Sequence, residues 1–274
     1  MFNVTPAQGQ ADCHLLEFAD GSRVLIDPGE AWDARGTALA HLRRLGIKRL
    51  DLVIISHFHL DHYCALREIL RSGIRVGKVV INVPDKRSAV REIPWGCNLN
   101  DVYALLGNLQ DRGITLLVPK AGDRIHEVRT ADGNVSGIDV LCCYDGVNSP
   151  LGLTDVNDTS IILRVFHGPT RAMFTGDMNH ALGAFLAKSD VDLRAELLKA
   201  PHHGTEGCAP DEFFARVGAK VVLVPSPKKL WESARSMRVR NYFINSRVPA
   251  FVSGLNGNVT ATLTARGYMI ETER

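Results

Sequence analysis

The sequence predicts an α+β protein with αββα layering, in which two packed mixed β-sheets are flanked by helices. Two observations carry this. Apolar runs of strand length outnumber helical patterns, and the strands fall into two mixed halves with helices interspersed. No internal repeat or low-complexity segment interrupts the pattern, so residues 1–274 are expected to form a single domain.

Leu15 to Phe18 and Arg23 to Ile26 lie on either side of Asp20-Gly21 and predict an opening hairpin, whose second strand ends at Asp27-Pro28-Gly29. A helix follows over Ala38 to Leu45 and stops at Gly46. Leu50 to Ile55 is a continuous apolar run, the pattern of a strand buried on both faces. Leu66, Ile69 and Leu70 recur at helical spacing before Gly73, and Val79 to Val83 reads as strand. Pro84 to Asn98 is rich in proline and charge and reads as a surface excursion. Val102, Leu105, Leu106 and Leu109 then mark an amphipathic helix ending near Gly113.

Strands are predicted at Ile114 to Val118 and Ile138 to Cys142. Ser160 to Phe166 and Arg171 to Thr175 form a second hairpin across His167-Gly168-Pro169-Thr170. The last third alternates: a helix over His180 to Lys188, a strand over Leu197 to Ala200, a helix over Asp211 to Val217, a strand over Lys220 to Val224, and a closing hairpin from Asn258 to Glu271.

At 45% hydrophobic residues the chain can bury a full core, yet no apolar stretch approaches the ~20 residues of a bilayer span. The start Met1-Phe2-Asn3-Val4-Thr5 does not resemble a signal peptide, so a cytoplasmic location is expected. The six cysteines lack C-x-x-C spacing and read as reduced, mostly buried thiols. A net charge of +2 gives no argument for duplex binding, so a polyanionic substrate would have to be held locally.

The chemistry concentrates at strand ends. After the Leu50 strand comes His57-Phe58-His59-Leu60-Asp61-His62. In an extended segment alternate side chains share a face, so His57 and His59 converge on one metal while Asp61 and His62 turn toward a second. A chance match to this pattern is about one in a thousand. Imidazole and carboxylate donors suit zinc, with manganese or iron compatible. Asp27, also at a strand end, is expected to brace the loops of the site by accepting hydrogen bonds.

Arg171 to Asp177 is a second apolar strand delivering a carboxylate, with Gly176 permitting close backbone approach and Asp177 placed to bridge two metals. A third strand delivers Lys199, His202 and His203. His202 is the expected ligand because it follows the strand directly, leaving His203 to face substrate or support the ligands; the reverse assignment stays open.

These motifs in this order resemble the metallo-β-lactamase superfamily. Their details resemble the metallo-hydrolase domain of ComEC-type competence proteins: Gly9-Gln10-Ala11-Asp12, Leu25-Ile26-Asp27-Pro28-Gly29, the His57 run, Asn157-Asp158-Thr159-Ser160, Thr175-Gly176-Asp177 and Leu198-Lys199-Ala200-Pro201-His202-His203-Gly204-Thr205. The resemblance covers nearly the whole chain and extends to Gly257-Asn258-Val259 and Gly267-Tyr268 in the final hairpin. It implies a dinuclear metal-dependent hydrolase using two divalent ions. A hydroxide between the metals is the expected nucleophile, since a bound cation can lower water's pKa from ~15.7 to about 7.

Two departures matter. Most of the superfamily places a further histidine before Thr-Gly-Asp, where this chain has Asn157, Asp158 and Ser160; His167 lies in the expected turn, so Asp158 is the candidate to complete the first metal's shell. Thr205 replaces the usual serine but keeps the hydroxyl. The membrane channel that accompanies the domain in competence proteins is not in this sequence, so DNA uptake is not implied.

The expected catalytic set is Asp61, Asp177, Lys199 and His203, with His57, His59, Asp61, His62, Asp158, Asp177 and His202 holding metal. Lys199, with Thr205 or Asn157, is expected to stabilise a phosphate-like transition state, unless it is only a solvated strand-end lysine. The favoured substrate is a phosphodiester, in nucleic acid including single strands or in a nucleotide-like molecule. The alternatives are a lactone, thioester or β-lactam hydrolase, and a weakly catalytic metal-binding partner module.

Two further segments bear on that choice. Lys228, Lys229, Trp231, Arg235, Arg238, Arg240, Tyr242, Phe243 and Arg247 mix basic and aromatic residues, which fits either a backbone track with base stacking or a solvated helix face over core aromatics. Ile93-Pro94-Trp95 is a candidate docking surface for a protein partner.

Overall fold

A computed structural model describes residues 2–3, 11–30, 38–84, 86–90, 92, 96–131, 133–144, 151 and 155–274. The first strands are β1 (Phe2–Asn3), β2 (His14–Glu17), β3 (Arg23–Ile26), β4 (Arg49–Ile54), β5 (Arg75–Val80) and β6 (Thr115–Leu117). They form one sheet in chain order, antiparallel from β1 to β3 and parallel from β3 to β6. A second sheet holds β7 (Arg124–Arg129), β8 (Val135–Cys142), β9 (Ile162–His167), β10 (Thr170–Phe174), β11 (Leu197–Lys199), β12 (Val221–Val224) and β13 (Ala250–Val252), also in chain order. Here β7 to β10 are antiparallel and β10 to β13 parallel. The closing hairpin of β14 (Val259–Thr264) and β15 (Gly267–Thr272) returns to the first sheet, where β14 pairs with β1.

Before the second sheet come helices α1 (Ala38–Arg44), α2 (Leu60–Tyr63), α3 (Leu66–Arg71), α4 (Lys86–Ala89) and α5 (Leu99–Asp111). After them come α6 (His180–Lys188), α7 (Asp211–Val217), α8 (Lys228–Trp231), α9 (Met237–Asn245) and α10 (Ser253–Asn256).

The period-two alternation of strand side chains explains the layering. On β4, Leu52 and Ile54 point into a middle core shared with Ile138, Val140, Leu163, Val165, Ala172 and Phe174 of the second sheet. Val53 and the following Ile55 point outward, against Leu39 and Leu42 of α1, Leu66 and Ile69 of α3, and Val102, Leu105 and Leu109 of α5. On the far side, Met173, Leu198 and Val222 pack beneath Leu182 and Leu186 of α6, Phe213 and Phe214 of α7, and Val239 and Phe243 of α9. These are the three interfaces of an αββα sandwich, as the strand pattern predicts.

The differences from expectation have local causes. The strand expected at Val79 to Val83 runs over Arg75–Val80 instead, because pairing of Arg49 with Arg75 and of Leu50 with Val76 sets its start, while Ile81 and Val83 pack on the helical side. Strand β7 carries no apolar run to betray it. It is an edge strand with one open face, and its Arg124 pairs with Asp139 and Glu127. The short edge strand β13 is recognisable only beside β12.

All six cysteines are free thiols, as expected. No helix among the described residues is long and apolar enough to cross a membrane. The candidate docking residues Ile93, Pro94 and Trp95 lie outside the described residues.

At Gly77 two strands come close: a Cβ there would sit 2.6 Å from the carbonyl oxygen of Asp51. Gly77→Ala is therefore expected to cost about 1–3 kcal/mol of stability by overpacking. Urea unfolding measures it, and an unchanged midpoint would mean that β4 and β5 can separate freely.

Candidate metal centre

Strands β3, β4, β10 and β11 all end at one edge of the sandwich, and β2, antiparallel to β3, begins there. Each delivers its polar residue to the same place. His57 follows β4, Asp61 and His62 sit on α2, Asp177 follows β10, His203 follows β11, Asp27 follows β3 and Asp12 precedes β2. The backbone is bent to do this. Asp27, His202 and His203 adopt left-handed φ of 51°, 46° and 54°, a conformation that non-glycine residues rarely hold except where surrounding structure enforces it.

Asp61, His62, Asp177 and His203 converge, with one donor atom from each lying within 4.8 Å of the others. His62 Nε2 lies 3.2 Å from Asp177 Oδ2 and 3.7 Å from Asp61 Oδ2. His203 Nε2 lies 3.0 and 3.1 Å from the same two oxygens.

The opposite edges of both rings are anchored. His62 Nδ1 pairs with Asp27 Oδ2 at 3.0 Å, and His203 Nδ1 pairs with the Pro225 carbonyl at 2.9 Å. Such partners fix ring orientation and tautomer, leaving Nε2 for the centre. Asp27 also accepts from the Ser56 amide and hydroxyl, both at 2.7 Å, which is the bracing role expected of it.

The donors fit a divalent cation. Four nitrogen and oxygen donors converge, and the buried Nε2 atom of His57 has no hydrogen-bond partner, a costly state for a polar atom removed from water. Burial opposes charge on both His62 and His203, but the carboxylates, Asp177 foremost, outweigh it and hold both imidazoles well above their ordinary range. Asp177 is held well below the carboxylate range, since His203, His62 and Lys199 together overcome its burial. His57 is shifted the other way, down, by burial and by His62 and His59.

His57 and His59 stand next to this quartet, with the His57 ring centroid 4.1 Å from that of His62 and 4.9 Å from that of His59. His59 Nε2 pairs with Glu92 Oε2 at 3.1 Å, and Glu92 Oε1 accepts from the Val156 amide at 3.0 Å. Glu92 thus takes Nε2 of His59 and leaves Nδ1 as the ring's other nitrogen. It lies in the segment read as a surface excursion, which is why the sequence did not single it out.

Four expectations change. His203, not His202, enters the cluster: the left-handed turn at 202–203 swings the second ring inward, and His202 Nδ1 instead pairs with Asn179 Oδ1 at 2.7 Å. Asp158 does not join the metal-binding groups found among the described residues. Its Oδ1 accepts from the amides of Asn179 and Leu182, at 2.9 and 3.3 Å, and so caps α6. Lys199 is neither solvated nor free to meet substrate: its side chain is 1% exposed and bound to Asp12, Asp177 and the Gly176 carbonyl. Thr205 Oγ1 donates to the His202 carbonyl at 2.9 Å, tying the turn and not facing a substrate.

The basic and aromatic segment also resolves. Trp231 and Phe243 are core residues, and Arg238 and Arg240 donate to backbone carbonyls of neighbouring turns. Of the residues missed, Asp12 is the most consequential. It was visible only as part of Gly9-Gln10-Ala11-Asp12, although its place before β2 already put it beside the end of β3. Glu30, half-buried near Asp61, was also missed; burial and the charge of Asp61 push its carboxyl up to about 7.

The class of protein follows from this arrangement. A sequence model of the Metallo-beta-lactamase superfamily matches residues 6–207, and the chain belongs to that superfamily. Among curated relatives, Endoribonuclease YSH1 of Saccharomyces cerevisiae is 24% identical over 187 residues, covering 65% of this chain and 22% of the relative. ComE operon protein 3 of Bacillus subtilis is 24% identical over 221 residues, covering 75% of this chain and 26% of the relative, in keeping with the competence-type resemblance. The chain spans about a quarter of the length of these relatives. CmlA, a diiron β-hydroxylase from Streptomyces venezuelae, superposes with a TM-score of 0.53 at 12% identity over 91% of this chain and 52% of its own, which shows a shared fold.

Glu92→Ala is expected to weaken metal binding about 10- to 100-fold by freeing the His59 ring, with the fold intact. Calorimetric titration with zinc reads this out, and an unchanged affinity would show that the Glu92 contact is incidental. Asp158→Asn tests the helix-cap assignment. Burial, then Asp155, pushes the Asp158 carboxyl up to about 6. A raised carboxylate favours the folded state at low pH and loses that contribution as pH rises through about 6, where the buried group must ionise. Asp158→Asn should therefore match the parent only below about pH 4, where the carboxyl is protonated in both folded and unfolded chains, be at least as stable at pH 8, and bind the same number of metal equivalents. Loss of one equivalent would restore Asp158 as a ligand.

Proposed function

We propose that this protein is a metal-dependent hydrolase that cleaves phosphodiester bonds in nucleic acid or in a nucleotide-like substrate. The observation that carries the reading is the buried convergence of Asp61, His62, Asp177 and His203 on one point, with the unpartnered nitrogen of His57 beside it. Asp61, His62, Asp177 and His203 would hold one cation. His57 and His59 would hold a second, with Asp177 between them. Zinc is the expected metal, with manganese or iron compatible with the same donors. Divalent cations held here supply Lewis acidity, which polarises a phosphoryl oxygen and acidifies water.

The chain's own residues prepare that chemistry. Asp27 and the Pro225 carbonyl hold the His62 and His203 rings with Nε2 turned to Asp61 and Asp177, and Glu92 takes Nε2 of His59. Phosphodiester cleavage is supported by the curated relative named an endoribonuclease, of whose length the chain covers 22%. The fold alone supports less, since it also hosts a diiron β-hydroxylase. A cytoplasmic location belongs to this proposal and rests on the six free thiols.

A second reading is favoured by one observation. Asp158 caps a helix and does not complete the His57 and His59 pair, which leaves that half with few donors. On this reading the protein holds a single cation tightly and serves as a weakly catalytic module for a partner.

Zinc- or manganese-loaded protein should hydrolyse bis-p-nitrophenyl phosphate or a labelled single-stranded oligonucleotide, and Asp177→Asn should lower the rate about 100-fold or more. Turnover of neither substrate by protein carrying two metal equivalents would reject phosphodiester cleavage. One tight equivalent without turnover would favour the second reading.

A further inference from the structure

Lysine is almost never fully buried unless paired, and Lys199 is 1% exposed at the end of β11. Its ammonium contacts Asp12 Oδ2, lies 3.1 Å from Asp177 Oδ1, and donates to the Gly176 carbonyl at 2.7 Å. All three donors of the ammonium thus face oxygen, and none is left for a substrate. Asp177 is divided between two kinds of neighbour. Oδ1 meets Lys199, while Oδ2 meets His62 and His203 at 3.2 and 3.0 Å.

Asp12 is 1% exposed and hemmed by Lys199, by His203 Nδ1 at 3.3 Å and by His14 Nε2 at 3.8 Å. Of these neighbours the Lys199 ammonium lies nearest and is its principal counter-charge, with His203 and His14 assisting. Removing one partner of a buried pair leaves the other as an uncompensated charge, which is far costlier than removing both.

We propose that Lys199 is a resident cation of the metal centre. It neutralises Asp12 and one oxygen of Asp177, so the acidic cluster stays assembled without divalent metal and Asp177 is committed to ligation through Oδ2 alone. Lys199 is thus a positioning residue that acts through Asp177 and does not touch substrate. The inference draws on the reading of the cluster as a metal centre, but it does not require phosphodiester cleavage.

The test compares full-length parent, Lys199→Met and Lys199→Met/Asp12→Asn by thermal unfolding, each stripped with a chelator and reloaded with zinc. The stripped parent should be folded. Stripped Lys199→Met should unfold about 10 °C lower, because Asp12 loses its counter-charge, and zinc should raise its midpoint more than it raises the parent's. The double variant, which removes both charges, should recover most of the loss without metal. Two results would overturn the proposal: an unchanged midpoint in stripped Lys199→Met, or a double variant as unstable as the single one. If Lys199→Met does not fold in either state, the double variant decides in the same way. A parent that binds no zinc would reject the metal centre itself, while the stripped comparison would still report on Lys199.

Discussion

Asp12, Asp27, Asp61 and Asp177 crowd one edge of the sandwich, and all but Asp61 are almost wholly removed from water. Each such ion would cost roughly several kcal/mol if left alone. The surrounding structure is arranged against that cost. Asp27 is satisfied by Ser56 and His62, Asp12 by Lys199, and Asp177 by His62, His203 and Lys199 together. The imidazoles that balance the acids are the same groups that offer nitrogen to a metal. On the proposed reading, a cation entering here would meet donors that are already held in place.

Sheet topology makes this crowding possible. Parallel pairing from β3 to β4 and from β10 to β11 brings successive strands to the same edge, so loops far apart in sequence deliver side chains to one point. The rigid part is the double sheet with its three apolar layers, and strain is confined to the loops at its edge. Gly176 shows how closely they pack: a Cβ there would meet Ser160 Oγ at 2.5 Å and Ser56 Oγ at 2.9 Å, so only glycine lets the Asp177 loop lie against the His57 loop.

The same scaffold carries an endoribonuclease among the curated relatives and a diiron β-hydroxylase among the solved structures, so chemistry is set by what lines the edge and not by the sandwich. In this chain the lining is asymmetric. The quartet around Asp177 is rich in donors and counter-charge, whereas on the His57 and His59 side Glu92 pairs with His59 and Asp158 caps α6.

Local pattern by itself determined the layering, most strands and helices, and the His57 to His62 run, because hydrophobic periodicity and residue spacing are short-range properties that survive without coordinates. Only in order after that run did Thr175-Gly176-Asp177 and His202-His203 carry the expectation that Asp177 and one of the two histidines meet there, as the cluster places them. Only the tertiary structure decided which one, since the choice of His203 over His202 depends on two consecutive left-handed residues that no composition rule announces. The same holds for Lys199, Asp158 and Asp12. Whether a lysine at a strand end meets water or a buried aspartate ahead of β2, and whether an aspartate joins the cluster or caps a helix, depends on partners more than twenty residues away that pattern along the chain cannot bring together.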